Sequence, residues 1–279
     1  MTSASDAQSL EALVREAQGG SRAALEAVAK AIRQQIYGLA LRFLWHPEDA
    51  EDATQEILVR IVTRLGSFRG ESAFTTWVFQ VACNALRTTR KRRMEDRAVT
   101  VEDFARDLEQ GLSDESVATP GVDERMLWEE VKIGCTTAML LGLDRDQRLA
   151  YILGEILELD HRTASAALEI EPAAYRQRLA RARAAIVGLM RARCGLVQPE
   201  NPCRCRRRVA TAIARGHVNP EDLLFARTEE QVRRFPEVLV QIRRLDEMQR
   251  AAALQRSHVM PGPSRAFDDW LSRMISETR

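Results

Sequence analysis

From Leu10 to Phe43, apolar side chains return every three or four residues. Leu10, Leu13, Val14 and Ala17 form one series, and Leu25, Val28, Ile32, Ile36, Leu39 and Phe43 form a second. Gly19-Gly20-Ser21 separates them. That spacing puts each series on one face of a 3.6-residue helix, and the glycine-serine break marks a turn, so residues 6–44 read as a helix pair. Prolines are nearly absent before Pro120, Pro47 being the only one, and alternating β-branched runs are rare. The chain reads as all-α.

A chain of 279 residues has room for two small domains and a third. Its 45% apolar and 29% charged residues are those of a soluble globular protein. There is no run of eighteen apolar residues, and the opening MTSASDAQSLEALVREAQ is polar, which points to a cytoplasmic protein with no membrane partner. Net charge is only +1, but the charge is strongly segregated along the chain. Five cysteines are an odd number, which disfavours a disulfide framework and leaves metal binding, redox sensing or plain burial.

The segregation is sharpest between His46 and Arg93. Pro47 stands where a helix would begin, with Glu48, Asp49, Glu51 and Asp52 near the positive end of its dipole. Ala53, Ile57, Ile61, Val62 and Leu65 form an inward stripe, while Asp49, Asp52, Gln55 and Glu56 make an outward acidic face. Gly66 and Gly70 bracket a loop holding Phe68, and Phe74, Trp77, Val78 and Phe79 follow. Val78 and Phe79 read as core. Phe74 and Trp77 are three apart and share a helix face. Then come Asn84 and a basic helical end, Arg87, Arg90, Lys91, Arg92 and Arg93. Rings beside a phosphate-binding ridge suit unstacked single-stranded bases.

The segment DAEDATQEILVRIVTRLGSFRGESAFTTWVFQVACNALRTTRKRR resembles region 2 of bacterial sigma factors of the extracytoplasmic-function (ECF) class. The DAED…QE helix, the FRGES-F-TW turn and the basic end are in register over roughly 45 residues. The resemblance implies that Asp49, Asp52, Gln55 and Glu56 dock on core RNA polymerase. It also implies that Phe68, Phe74, Trp77, Asn84, Arg87, Arg90, Lys91, Arg92 and Arg93 hold the non-template strand of the promoter −10 element. Cys83 stands where that family usually has arginine, and Thr88 where it usually has aspartate.

Residues 94–124 hold ten acids against two arginines and read as a disordered, solvated linker between two DNA-binding domains. By the same resemblance, that linker threads a positively charged channel of the polymerase. Residues 125–193 turn helical again, with a short helix around Arg162–Leu168, a tight turn and a long arginine-rich helix. Tyr175, Leu179, Ala182, Ile186 and Leu189 make its buried face, and Arg176, Gln177, Arg178, Arg181 and Arg183 cover the rest. Short helix, turn and basic helix is the helix-turn-helix layout, in which arginine and glutamine suit base edges in the major groove. PAAYRQRLARAR resembles the recognition helix of sigma region 4, which implies −35 promoter DNA contacts for those five residues. Thr163 stands where that family usually has glutamate, and Glu169 where its turn usually has glycine.

Residues 194–279 form a C-terminal extension beyond these two regions. Cys194, Cys203, Cys205 and His217 could complete a tetrahedral zinc site. Arg206, Arg207 and Arg208 would equally lower thiol pKa values and favour redox reactivity, and ordinary burial is the third reading. Cys83 and Cys135 lie in helical patterns and read as buried small hydrophobes. After Pro261-Gly262-Pro263, the residues Phe267, Trp270, Leu271, Met274 and Ile275 predict an amphipathic helix that docks on another domain or on a regulator.

These features predict an all-α protein with a region 2 bundle in 1–93, an acidic linker in 94–124, a region 4 helix-turn-helix in 125–193 and a regulatory extension in 194–279. The chain shows no paired-carboxylate pocket, no phosphate-cradling glycine loop and no nucleophile with a nearby base, so it reads as a non-enzyme. Its expected role is a sigma factor whose partners are core RNA polymerase, promoter DNA and an anti-sigma or other regulator, with no cofactor beyond the zinc reading. The rivals are a stand-alone helix-turn-helix regulator and a zinc- or thiol-based sensor.

Overall fold

In the computed structural model, residues 4–89, 100–113 and 122–277 are described, with side chains from residue 9 onward. Thirteen α-helices and no strand are found among the described residues: α1 (Ala4–Gln18), α2 (Arg22–Leu44), α3 (Pro47–Arg64), α4 (Phe74–Thr88), α5 (Val101–Gln110), α6 (Glu124–Ala138), α7 (Arg145–Tyr151), α8 (His161–Ala167), α9 (Pro172–Arg193), α10 (Cys205–Ala214), α11 (Glu229–Arg244), α12 (Glu247–Arg256) and α13 (Arg265–Glu277). No helix among them is long and apolar enough to cross a membrane. The contacts group the chain into two compact units that do not follow sequence order. One holds residues 1–92, 160–175 and 262–279, the other 93–159 and 176–261.

The first unit is built around α2. Its N-terminus is capped by Ser21, whose hydroxyl accepts from the Ala24 N–H at 3.3 Å. Ile32, Ile36, Leu39 and Phe43 are buried on it, as the periodicity requires. It packs against α1, α3, α4 and α13. Pro47 opens α3, and of its inward stripe Ala53, Ile57, Ile61 and Leu65 are buried and Val62 is half-buried. The Gln18 amide donates to the Leu65 carbonyl at 2.9 Å and the Phe68 carbonyl at 2.8 Å, which pins the loop carrying Phe68.

The terminal amphipathic helix docks within this unit. Phe267, Leu271 and Ile275, four apart, are buried on the face of α13 that meets α2. Ser264 donates its N–H and hydroxyl to the Glu51 carboxylate at 2.6 and 3.0 Å, and Asp268 pairs with Arg33.

The second unit shows that most of the extension is integral to its neighbours. α6 carries three buried charged residues, Glu129, Glu130 and Lys132. The Glu130 carboxylate accepts backbone N–H bonds from Leu224, Phe225 and Ala226 at 2.9, 2.8 and 2.8 Å. Burial pushes its pKa up against the pull of those three donors. Lys132 pairs with Glu129 at 2.6 Å and lies 3.1 Å from the centroid of the Phe235 ring. Tyr151 donates to Gln255 at 2.8 Å, and Gln255 donates to the Thr136 carbonyl at 2.9 Å, so α12 is tied to α6 and α7. Glu130→Ala should cost this unit about 2–4 kcal/mol, because three backbone donors lose a charged acceptor. A drop in urea midpoint measures it, and a loss below about 1 kcal/mol would mean that the 224–226 segment is held by other contacts.

The acidic stretch departs from the expectation of a solvated, unstructured linker. Its residues 101–110 are α5, started by a capping box in which Thr100 and Asp103 exchange hydrogen bonds. Asp107 of α5 pairs with Arg208 and Arg215, and Glu109 with Arg193 at 2.5 Å. Gly111 leaves the space that the Arg208 guanidinium fills. The reason is charge complementarity: acids that look like solvated spacers in sequence have arginines of α9 and α10 to pair with. Residues 94–99 and 114–121 of the stretch lie outside the described residues.

Candidate nucleic-acid interface

α4 carries the expected strand-holding residues because its two faces differ. Val78, Phe79, Ala82, Cys83 and Leu86 are buried, while Trp77, Gln80, Asn84 and Arg87 recur at three and four on the partly exposed side. Phe68, Phe74 and Trp77 form one aromatic cluster, with ring centroids 5.3 Å (Phe68–Phe74), 5.6 Å (Phe68–Trp77) and 5.8 Å (Phe74–Trp77) apart. Phe74 is 1% exposed. Its expected part as a base-stacking ring is therefore corrected: it is core, and its ring supports Phe68 and Trp77, which are half-buried.

Beside Trp77 a cleft of about 210 Å³ is lined by Arg60, Arg64, Ser67, Trp77, Gln80, Val81, Asn84 and Glu169. Arg60, Arg64 and Gln80 are additions to the residues expected from sequence. Gln80 was readable in principle, since it lies three after Trp77 and four before Asn84. The two arginines of α3 are brought there by packing. The Asn84 side-chain oxygen Oδ1 accepts from Arg87 at 3.0 Å. Burial pushes the Cys83 thiol up to about 12, with Arg87 opposing, so Cys83 acts as a small apolar side chain. Arg90, Lys91, Arg92 and Arg93 lie outside the described residues.

The donors of this surface are engaged by the turn after α8, which packs on α4. The Glu169 carboxylate accepts from the Gln80 amide at 2.7 Å and from the Asn84 amide, and those bonds pull its pKa down, Asn84 most. The Leu168 carbonyl accepts from Arg87 at 3.3 Å.

On the acidic face of α3, Asp52 and Glu56 are exposed and Gln55 is half-buried. Asp49 departs from the expected outward position: it is 8% exposed, and one of its carboxylate oxygens has no hydrogen-bond partner among the described residues. The helix-turn-helix layout is present as α8, a turn and α9. Tyr175, Leu179, Ala182, Ile186 and Leu189 are buried as the spacing predicts. Arg176, Gln177 and Arg181 are exposed. Arg178 pairs with Asp146 at 3.3 Å, and Arg183 donates from Nε to Glu155 at 3.1 Å.

The tail cysteines assemble differently from the sequence reading. Cys194 and Cys203 pair through a single parallel bridge. With Cys205 they line a cavity of about 20 Å³ whose fourth cysteine is Cys135 of α6, and His217 is not among its lining residues. Among the described residues no group of three or more histidine, cysteine or acidic side chains is arranged to hold a metal ion. The expected set Cys194, Cys203, Cys205 and His217 is thus corrected, since the fold draws Cys135 to the three thiols instead. The expectation of arginine-activated thiols is corrected too. Burial outweighs the neighbouring arginines and raises all four pKa values, that of Cys203 to about 11.

Residues 28–95 match the family described as Sigma-70 region 2. The chain is also similar to curated proteins. The RNA polymerase sigma-H factor of Pseudomonas aeruginosa is 30% identical over 177 residues, which cover 62% of this chain and 90% of that protein. The ECF RNA polymerase sigma-E factor of Haemophilus influenzae is 28% identical over 176 residues, covering 62% and 90%. That of Escherichia coli K12 is 27% identical over 182 residues, covering 63% and 91%. The aromatic cluster, the acidic helix α3 and every residue lining the cleft except Glu169 lie in residues 28–95, and this chain belongs to the ECF class of RNA polymerase sigma factors.

Proposed function

We propose that the chain directs promoter-specific transcription initiation by binding core RNA polymerase through the acidic face of α3 and holding a melted −10 strand on α4. Asp52, Gln55 and Glu56 present the polymerase-facing charge. Trp77 offers a ring to an unstacked base, Gln80 and Asn84 offer amides to base edges, and Arg60, Arg64 and Arg87 offer guanidinium groups to phosphates. Arg176, Gln177 and Arg181 read −35 duplex from the exposed side of α9. In this reading the chain performs no catalysis; bond formation stays in the polymerase. Its partners are core polymerase, promoter DNA and a regulator that acts on the extension, and its place is the cytoplasm.

The observation that carries the reading is the half-buried Trp77 beside a cleft lined by two arginines and two side-chain amides, inside the span that matches region 2. Run-off transcription with core RNA polymerase and a promoter library tests it. The full chain is expected to give discrete start sites, and Trp77→Ala is expected to lose at least about ten-fold of that signal, in line with one to three kcal/mol per stacked base. Duplex binding without initiation would replace the reading with that of a stand-alone helix-turn-helix regulator.

A further inference from the structure

Glu169 sits at the turn between α8 and α9 with φ of +54°. A residue with a Cβ rarely takes that left-handed conformation, and glycine takes it freely. The side chain is exposed, so core packing does not demand it there. What the glutamate does have is a pair of bonds. Gln80 donates to one carboxylate oxygen at 2.7 Å and Asn84 to the other. One residue earlier, the Leu168 carbonyl takes a bond from Arg87. Three donors on the outward face of α4 are therefore all turned onto two successive residues of one turn. Amides and a guanidinium are the groups that would meet base edges and phosphates. The anionic carboxylate stands where such acceptors would stand.

We propose that Glu169 is a latch: in the free chain its carboxylate occupies the Gln80 and Asn84 amides and closes the strand-holding face of α4 with the turn of the helix-turn-helix. Opening the latch frees the Gln80 and Asn84 amides of α4. Promoter-like single strand competes with the carboxylate for the same donors. This inference rests on the reading of α4 as the strand-holding surface.

The test uses the full chain without polymerase, and a fluorescent mixed-sequence single-stranded DNA of about a dozen nucleotides as probe. Glu169→Gly removes the carboxylate and relieves the backbone, so the helix-turn-helix keeps its fold. Glu169→Gln keeps the strain and one acceptor oxygen. Binding of the probe should tighten about five-fold in Glu169→Gly and by less in Glu169→Gln. Amide hydrogen exchange in α4 and α8 should rise in the same order. Unchanged exchange and unchanged binding in Glu169→Gly would overturn the latch. Faster exchange with unchanged DNA binding would show that the turn opens but that α4 is not the strand-holding face. That result would overturn both the latch as a gate on DNA and the reading beneath it.

Discussion

Phe74→Ala is expected to lower the stability of the first unit by about 3–5 kcal/mol, the range for removing a fully buried aromatic side chain. Phe74 is 1% exposed and touches both Phe68 and Trp77, so the deletion leaves a cavity under the two rings that form the accessible part of the cluster. Against a typical domain stability of about 5–15 kcal/mol, such a loss leaves the unit marginal. Urea unfolding followed by tryptophan fluorescence measures it. Phe74→Leu, which keeps most of the volume, should cost markedly less than Phe74→Ala. A loss under about 1 kcal/mol in Phe74→Ala would show that the ring is a binding residue rather than core.

The second large effect concerns the acidic face of α3. Replacing Asp52 and Glu56 together by arginine should weaken core-polymerase binding at least about a hundred-fold, since like charges placed across an interface cost several kcal/mol. Both residues are exposed, so the folded state should change by no more than about 1 kcal/mol. Titration of fluorescent core polymerase with wild type and variant, at two salt concentrations, checks the pair of statements. The wild-type affinity should fall with salt, because rim charges are screened within about 10 Å at 0.1 M. Equal affinity of the two proteins would remove α3 from the polymerase interface.

The truncation that sequence alone suggests, at the end of the recognition helix, would damage the protein. Residues 224–226 satisfy the buried Glu130, Phe235 covers Lys132, and Asp107 pairs with Arg208. Cutting at residue 193 would strand the buried Glu130 carboxylate, strip Phe235 from Lys132 and leave Asp107 without Arg208. A cut after Pro261 removes only the terminal segment with α13 and its contacts on α2 and α3, and is the better probe of that helix.

Helix periodicity, a start signal at Pro47 and the order of acids, rings and cations were legible in the sequence because each depends on residues three or four apart. They determined the all-α class, the inward stripe of α3 and the buried face of α9. Which partner covers a face is not a local property. Phe74 and Trp77 share a helical face, yet packing buried one and left the other half-exposed. Glu169 meets Asn84 across 85 positions, Cys135 joins the tail thiols in place of His217, and the acids of α5 find arginines far along the chain. α13 returns to α2 from the other end of the chain. Those choices came from long-range complementarity of shape and charge, which only the tertiary structure brings together.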